Sequence, residues 1–510
     1  MSSSLPCEIV CSTARLSDLD TELLVVPWCE GDAADGVSEL DRATAGELSR
    51  ALASLEFRAK PFELFFAAVS DATWKPRRVL FIGVGRVDVF GSAQLRRVAA
   101  AAALQIRQRR VPRAAILVRS RGQASDQYLV ALVRAVVEGL TLSEFSGSGY
   151  KTQDEASSPV RQWTVAMERA PAGLTDQVAR SRVLAECSNL ARDLANEPGN
   201  VLTPREFASR AAAVAYGGGV SVDVMDEQKM ADLGMGMLLG VARGSAEPPR
   251  LVTFRHDPAG APPGPVLGLV GKGITFDTGG ISLKPAEGME RMKDDMAGGA
   301  AVACAMRALA MLAAPIRVVG VVPMAENMPG GRAIRPGDIL RSAEGKTVEV
   351  INTDAEGRLV LGDALWYARS LGATHLVDVA TLTGAIVVAL GKSVSGVFGS
   401  PAAWVEHVRQ VGEEVGDQMW PLPLVDDYRD QLKSEIADFT NTGGRPAGSI
   451  TAALFLREFT GGLPWAHIDI AGTAWSEDVR PYLPKGPSGV AVRTLTELAL
   501  TPDRWRGIGA

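Results

Sequence analysis

Gly271-Lys-Gly-Ile-Thr-Phe-Asp-Thr-Gly-Gly-Ile-Ser-Leu-Lys-Pro285 is the stretch on which the reading of this chain turns. It places two lysines and an aspartate on a glycine-rich segment directly after an apolar run, 265–271. Two more charged pieces lie downstream, Met292-Lys-Asp-Asp-Met296 and Asn352-Thr-Asp-Ala-Glu-Gly-Arg-Leu359. Each adjoins a strongly apolar segment. Charged groups set that deep in apolar sequence must be paired with one another or with a metal.

Around these pieces the chain alternates strand and helix signals. Strands are predicted over 265–271, 316–323, 348–352, 375–380 and 466–470, and helices over 296–312, 359–371 and 450–459. The strands are apolar throughout, as expected of a sheet covered by helices on both faces. In such sheets the ligand site lies at the carboxyl ends of the strands. The charged loops fall there: Lys272 follows one predicted strand, and Asp354 and Glu356 follow another.

Further upstream a smaller α/β pattern appears, with strands over 22–27, 62–69, 78–86 and 114–118 and helices over 92–109 and 126–139. The polar stretch 144–171, opening with Ser146-Gly-Ser-Gly-Tyr150, reads as a loop that closes this part. The expected class is α/β. An N-terminal α/β domain covers 1–165, a linker helix lies within 166–195, and a larger catalytic domain covers 196–510. The larger domain has a mixed sheet with helices on both faces.

Composition removes several functions. A formal net charge of −6 over 510 residues argues against general nucleic-acid affinity. The five cysteines, Cys7, Cys11, Cys29, Cys187 and Cys304, are scattered and form no C-x-x-C pair. That excludes a thiolate zinc site and a disulfide framework, and it fits a reducing, cytoplasmic setting. No apolar run approaches the ~20 residues a membrane span needs, and no signal-peptide pattern opens the chain.

The histidines His256, His375, His407 and His467 show no ligand spacing, and H-E-x-x-H is absent. Gly83-x-Gly85 lacks the third glycine and acidic partner of a dinucleotide site, and no Gly-Lys-Ser/Thr completes a P-loop. Ser282 and Thr278 have no histidine near them in sequence. A metal would therefore be held mainly by oxygen, from Asp277, Asp294 or Asp295, Asp354 and Glu356. Such a set suits magnesium, manganese or zinc, and a shared carboxylate can bridge two ions. An ion-pair network of these acids with Lys272, Lys284 and Arg358 satisfies the same residues equally well.

The opening stretch and Asn352–Leu361 resemble the leucine aminopeptidase (cytosol aminopeptidase) family. So do Glu326-Asn-Met-Pro-Gly-Gly-Arg-Ala-Ile-Arg-Pro-Gly-Asp338, Ala380-Thr-Leu-Thr-Gly-Ala385 and Ile470-Ala-Gly-Thr-Ala-Trp475. The resemblance is close from about 196 to 495 and looser in the N-terminal, macro-like domain. It implies a metal-dependent exopeptidase that releases N-terminal residues, Leu or Met by preference, from peptide substrates. It also implies a homohexamer and two divalent ions per subunit. In that pattern Asp277 and Glu356 bridge the ions, Lys272 and Asp295 complete one site, and Asp354 completes the other. Lys284 stabilises the oxyanion, and Arg358 holds a bicarbonate that acts as general base. Met292, Thr381 and Gly384 line the pocket for the first side chain. An inactive binding module, an added nucleic-acid role and hydrolysis of another bond type are the competing readings.

Overall fold

The computed structural model describes residues 7–509 apart from 121, 123–124, 153–159, 216–218 and 262–263. The chain divides into two units, Met1–Glu186 with Asp478–Lys485, and Cys187–Glu477 with Gly486–Ala510.

The first unit holds strands β1 (Glu8–Ser12), β2 (Leu23–Cys29), β3 (Leu64–Ala68) and β4 (Arg78–Gly85). Helix α1 (Ser92–Gln108), β5 (Arg113–Val118), α2 (Asp126–Leu142) and β6 (Gln162–Met167) follow. The sheet order is β1-β6-β5-β2-β4-β3, parallel except for β3. Leu23 and Val25 enter one apolar cluster while Leu24 and Val26 enter another, so both faces of the sheet are buried. β6 lies inside the stretch read as loop and crosses the boundary read at 165. Its alternation of Gln162 and Thr164 with buried Trp163 and Val165 is hidden by the polar tract before it. Residues 153–159 of that stretch lie outside the described residues. The division between the units falls within helix α3 (Leu174–Asn196).

The second unit is built on a nine-stranded mixed sheet. Its strands and the helices that bear on the site are β7 (Val220–Met225), β8 (Arg250–His256), β9 (Val266–Gly271), β10 (Gly273–Asp277), α4 (Ala297–Met311) and β11 (Arg317–Asn327). After β12 (Ile339–Arg341) and β13 (Thr347–Glu349) come α5 (Gly357–Ser370), β14 (His375–Ala380), α6 (Gly384–Leu390) and β15 (Ser395–Ser400). β16 (Met419–Pro421), β17 (Phe439–Thr440), α7 (Gly448–Arg457) and β18 (Trp465–Asp469) complete the set. The order is β16-β15-β18-β14-β9-β11-β8-β7, and β10 pairs with β11. The four central strands β18, β14, β9 and β11 are parallel, whereas β8 and β15 run antiparallel to them and β7 pairs antiparallel with β8. Val270 packs with Leu361, Ala364 and Leu365 of α5, and the alternate residues Leu267 and Leu269 are buried too. This double burial explains the uniformly apolar strands.

Two expectations change. The opening motif is not all loop, because Gly273–Asp277 forms β10 and extends the pairing along β11. The strand read at 348–352 is only Thr347–Glu349, and it belongs to a separate three-stranded sheet, β12-β13-β17. Asp354 and Glu356 therefore reach the site from the turn before α5, not from the end of a central strand. No helix among the described residues is long and apolar enough to cross a membrane.

Candidate active site

β9 pairs with Arg317–Val321 of β11, and β10 pairs with its far end, Met324–Asn327. Lys272 occupies the break between them. Its backbone is held on both sides, its N–H donating to Val379 O at 3.0 Å and its carbonyl accepting from Gly299 N at 2.7 Å. The side chain runs inward beside Gly357, where an added Cβ would stand 2.7 Å from Lys272 Cε. Its ammonium contacts Asp295 Oδ2 at 2.7 Å and Glu356 Oε1 at 2.8 Å, and donates to the carbonyl of Thr381 at 3.1 Å.

The second lysine arrives by a different route. Gly279 and Gly280 take positive φ of 86° and 64°, and a Cβ at Gly279 would lie 2.5 Å from Ser282 O. Only glycine accepts that conformation in that space. The tight loop turns Lys284 back so that Nζ lies 2.9 Å from Asp277 Oδ2 and also contacts Asp354. Thr353 fastens the loop to the turn that carries Asp354. Its hydroxyl donates to Gly279 O at 2.6 Å and accepts from Ser282 N at 2.8 Å.

Two asparagines that the sequence reading did not single out hold the acids in place. Asn327, at the carboxyl end of β11, donates through Nδ2 to Asp277 Oδ1 at 2.8 Å and to Thr353 O at 3.0 Å. Asn441 accepts from Ile351 N at 2.8 Å, donates to Asn352 O at 2.7 Å, and through its carbonyl accepts from Arg358 Nη1 at 3.0 Å. The signal available for Asn327 was its position after the apolar run of β11. No local pattern marks Asn441.

One oxygen each from Asp277, Asp354 and Glu356 can be chosen so that all lie within 4.8 Å of one another. Burial pushes Asp295, Glu356 and Asp354 above the usual carboxylate range. Burial also pulls Lys272 and Lys284 down, but the surrounding carboxylates override it, and both end above the ordinary lysine range. Burial holds the Arg358 guanidinium down at about 10. Its Nε is buried with no hydrogen-bond partner among the described residues.

The cluster suits divalent ions. Four clustered carboxylates face two ammonium groups, and each ammonium lies between two acids, where a cation is wanted. Asp294 is outside this arrangement. It turns toward Arg291 at 3.5 Å, and burial raises it to about 6. Of the residues read as pocket lining, Thr381 touches the cluster directly, its hydroxyl donating to Asp295 Oδ1 at 2.6 Å. Gly384 opens α6 with empty space where a side chain would stand, and Met292 lies half-buried in the turn before Asp295.

The catalytic-domain model of the cytosol aminopeptidase family matches residues 189–496, and the N-terminal-domain model of that family matches 25–154. A probable cytosol aminopeptidase of Solibacter usitatus is 47% identical over 495 residues, covering 97% of this chain and 99% of the relative. One from Koribacter versatilis is 43% identical, covering 96% and 98%. Among solved structures, a tomato leucine aminopeptidase mutant has a TM-score of 0.90 at 30% identity, covering 98% of this chain and 97% of its own. The bottromycin maturation enzyme BotP in complex with Mn has a TM-score of 0.83 at 36% identity, covering 94% and 99%.

Proposed function

Since the chain belongs to the cytosol aminopeptidase family, we propose that it removes N-terminal residues from peptides with two divalent ions held by Lys272, Asp277, Asp295, Asp354 and Glu356. The observation that carries this reading is the buried cluster itself, three carboxylate oxygens within 4.8 Å flanked by two lysines that each lie between two acids. Asp277 and Glu356 would be shared between the two ions, Lys272 and Asp295 would complete one site, and Asp354 would complete the other. The manganese complex of the similar maturation enzyme makes manganese a natural first ion to try, with zinc and magnesium as the other oxygen-compatible choices. Bound there, such ions supply polarisation of the scissile carbonyl and lower the pKa of water into the neutral range.

The chain's own residues do the rest. Lys272 stands as a counter-ion to Asp295 and Glu356, and it ligates only after shedding its proton, a change favoured by nearby dications. Lys284 lies across the cluster, where it rests on Asp277 and Asp354, and it is the group that turns to donate to the oxygen on which charge develops when the carbonyl is attacked. Arg358 stays cationic, so it cannot act as base. Its buried, unpartnered Nε suits a small anion, and a bicarbonate held there would supply a proton acceptor for the attacking water. Met292, Thr381 and Gly384 form one wall of the pocket for the first side chain. The open space beside Gly384 leaves room for a side chain there, and Leu or Met is the preference we propose. A homohexamer is the assembly we expect, and light scattering checks it.

The reading requires a free α-amine at the reacting residue. Leucine p-nitroanilide and free peptides should turn over while their N-acetylated forms do not. Comparable turnover of blocked and free substrates would make the protein an endopeptidase or acylase instead.

A further inference from the structure

Asp469 ends β18 with a side chain 0% exposed. A buried carboxylate is costly unless its oxygens are taken up by donors. Here Oδ1 accepts from Leu382 N at 3.1 Å and from Ala471 N at 3.2 Å, and Oδ2 accepts from the hydroxyl of Thr383 at 2.7 Å. Two of these three donors lie in the turn that follows β14. The parallel register explains the meeting, because Asp469 lies opposite Ala380, the last residue of β14. The hydroxyl of Thr383 is oriented as well. Its proton goes to Asp469, while its oxygen accepts from Ile386 N at 3.2 Å.

The same turn begins with Thr381, which touches the candidate metal ligands twice. Its carbonyl takes a hydrogen bond from Lys272 Nζ at 3.1 Å, and its hydroxyl donates to Asp295 Oδ1 at 2.6 Å. Asp469 thus stands one short turn behind Lys272 and Asp295 without touching either. The other half of the cluster has different supports, since Asn327 holds Asp277 and Asn441 holds the turn with Asp354.

We infer that Asp469 is a positioning residue for one of the two metal sites: by fixing the turn Thr381–Thr383 it sets Lys272 and Asp295 in the geometry that binds an ion. This rests on the two-ion reading given above. A carboxylate is required because all three neighbours donate. An asparagine would turn its N–H₂ toward the Thr383 hydroxyl, whose oxygen already accepts from Ile386 N and whose proton would lose its acceptor, and the turn would shift. Groups that orient a ligand in this way typically change metal affinity by about 10–100-fold when lost.

The test is manganese titration of the metal-stripped full chain, following free ion by electron paramagnetic resonance. Wild type should take up two ions. Asp469→Asn should weaken one of them by about 10–100-fold and leave the other unchanged. Thr383→Val, which removes the hydroxyl at nearly constant volume, should weaken the same ion, and Thr383→Ser should restore it. Unchanged affinities in Asp469→Asn, or equal weakening of both ions, would overturn the inference while the two-ion reading stands. A wild-type chain that binds fewer than two ions would overturn the two-ion reading and this inference with it. If Asp469→Asn does not fold, Thr383→Val decides, and unchanged affinities there overturn the proposal.

Discussion

Lys272 and Lys284 each lie between two carboxylates, yet their surroundings are opposite. Lys272 has a side chain 3% exposed, sits in the break between two strands, and has an acceptor for each of its three N–H groups. Lys284 is 22% exposed, hangs on a loop folded by two glycines, and contacts two acids. One ammonium is carried between two strands of the sheet and the other on the loop that follows β10. A group that must hold a metal in fixed geometry belongs in the first setting. A group that must release its resting partners and turn to a changing substrate belongs in the second. The contrast is the physical ground on which Lys272 is proposed as ligand and Lys284 as oxyanion donor.

The largest effect should come from emptying both halves at once. Exhaustive chelation should reduce activity to background, and manganese or zinc should restore it. Full activity in metal-free protein would remove the basis of the contrast.

Lys272→Ala should come next. It strands Asp295 and Glu356 in a buried site, which typically costs about 3–5 kcal/mol. Denaturant unfolding of the metal-free protein should show that loss, and Lys284→Ala should show less than half of it. Equal losses would mean that the two settings do not differ energetically.

Lys284→Ala should lower kcat by about 10²–10³, the usual consequence of removing one oxyanion donor. A rise in KM with kcat unchanged would assign Lys284 to substrate binding instead. The smallest change should follow Asp294→Asn. Asp294 faces Arg291 and not the cluster, so steady-state kinetics should show the least loss of the series. A loss as large as that of Asp295→Asn would mean that the adjacent aspartates share the site.

The central strands were legible because burial on both faces leaves them apolar, as in β9, β14 and β18. β10 was not, because a five-residue strand beginning at Gly273 and ending at Asp277 looks like the glycine-rich loop that follows it. β15 hides in a similar way, since Gly396 and Gly399 interrupt its apolar run. Charged residues of the site stood out in sequence as acids and lysines beside apolar runs. Their supports did not. Asn327, Asn441 and Asp469 are single polar residues whose partners near the site lie 26 to 90 positions away in the chain, Ala471 beside Asp469 being the local exception. Only the strand register brings those partners within reach, and register is a tertiary property.

The most direct measurement is the metal content of Lys284→Ala and Lys272→Ala, purified and loaded with manganese side by side. The account predicts two ions per chain in Lys284→Ala and fewer than two in Lys272→Ala. Two ions in Lys272→Ala with fewer in Lys284→Ala would contradict it, because the lysine on the loop would then be the ligand.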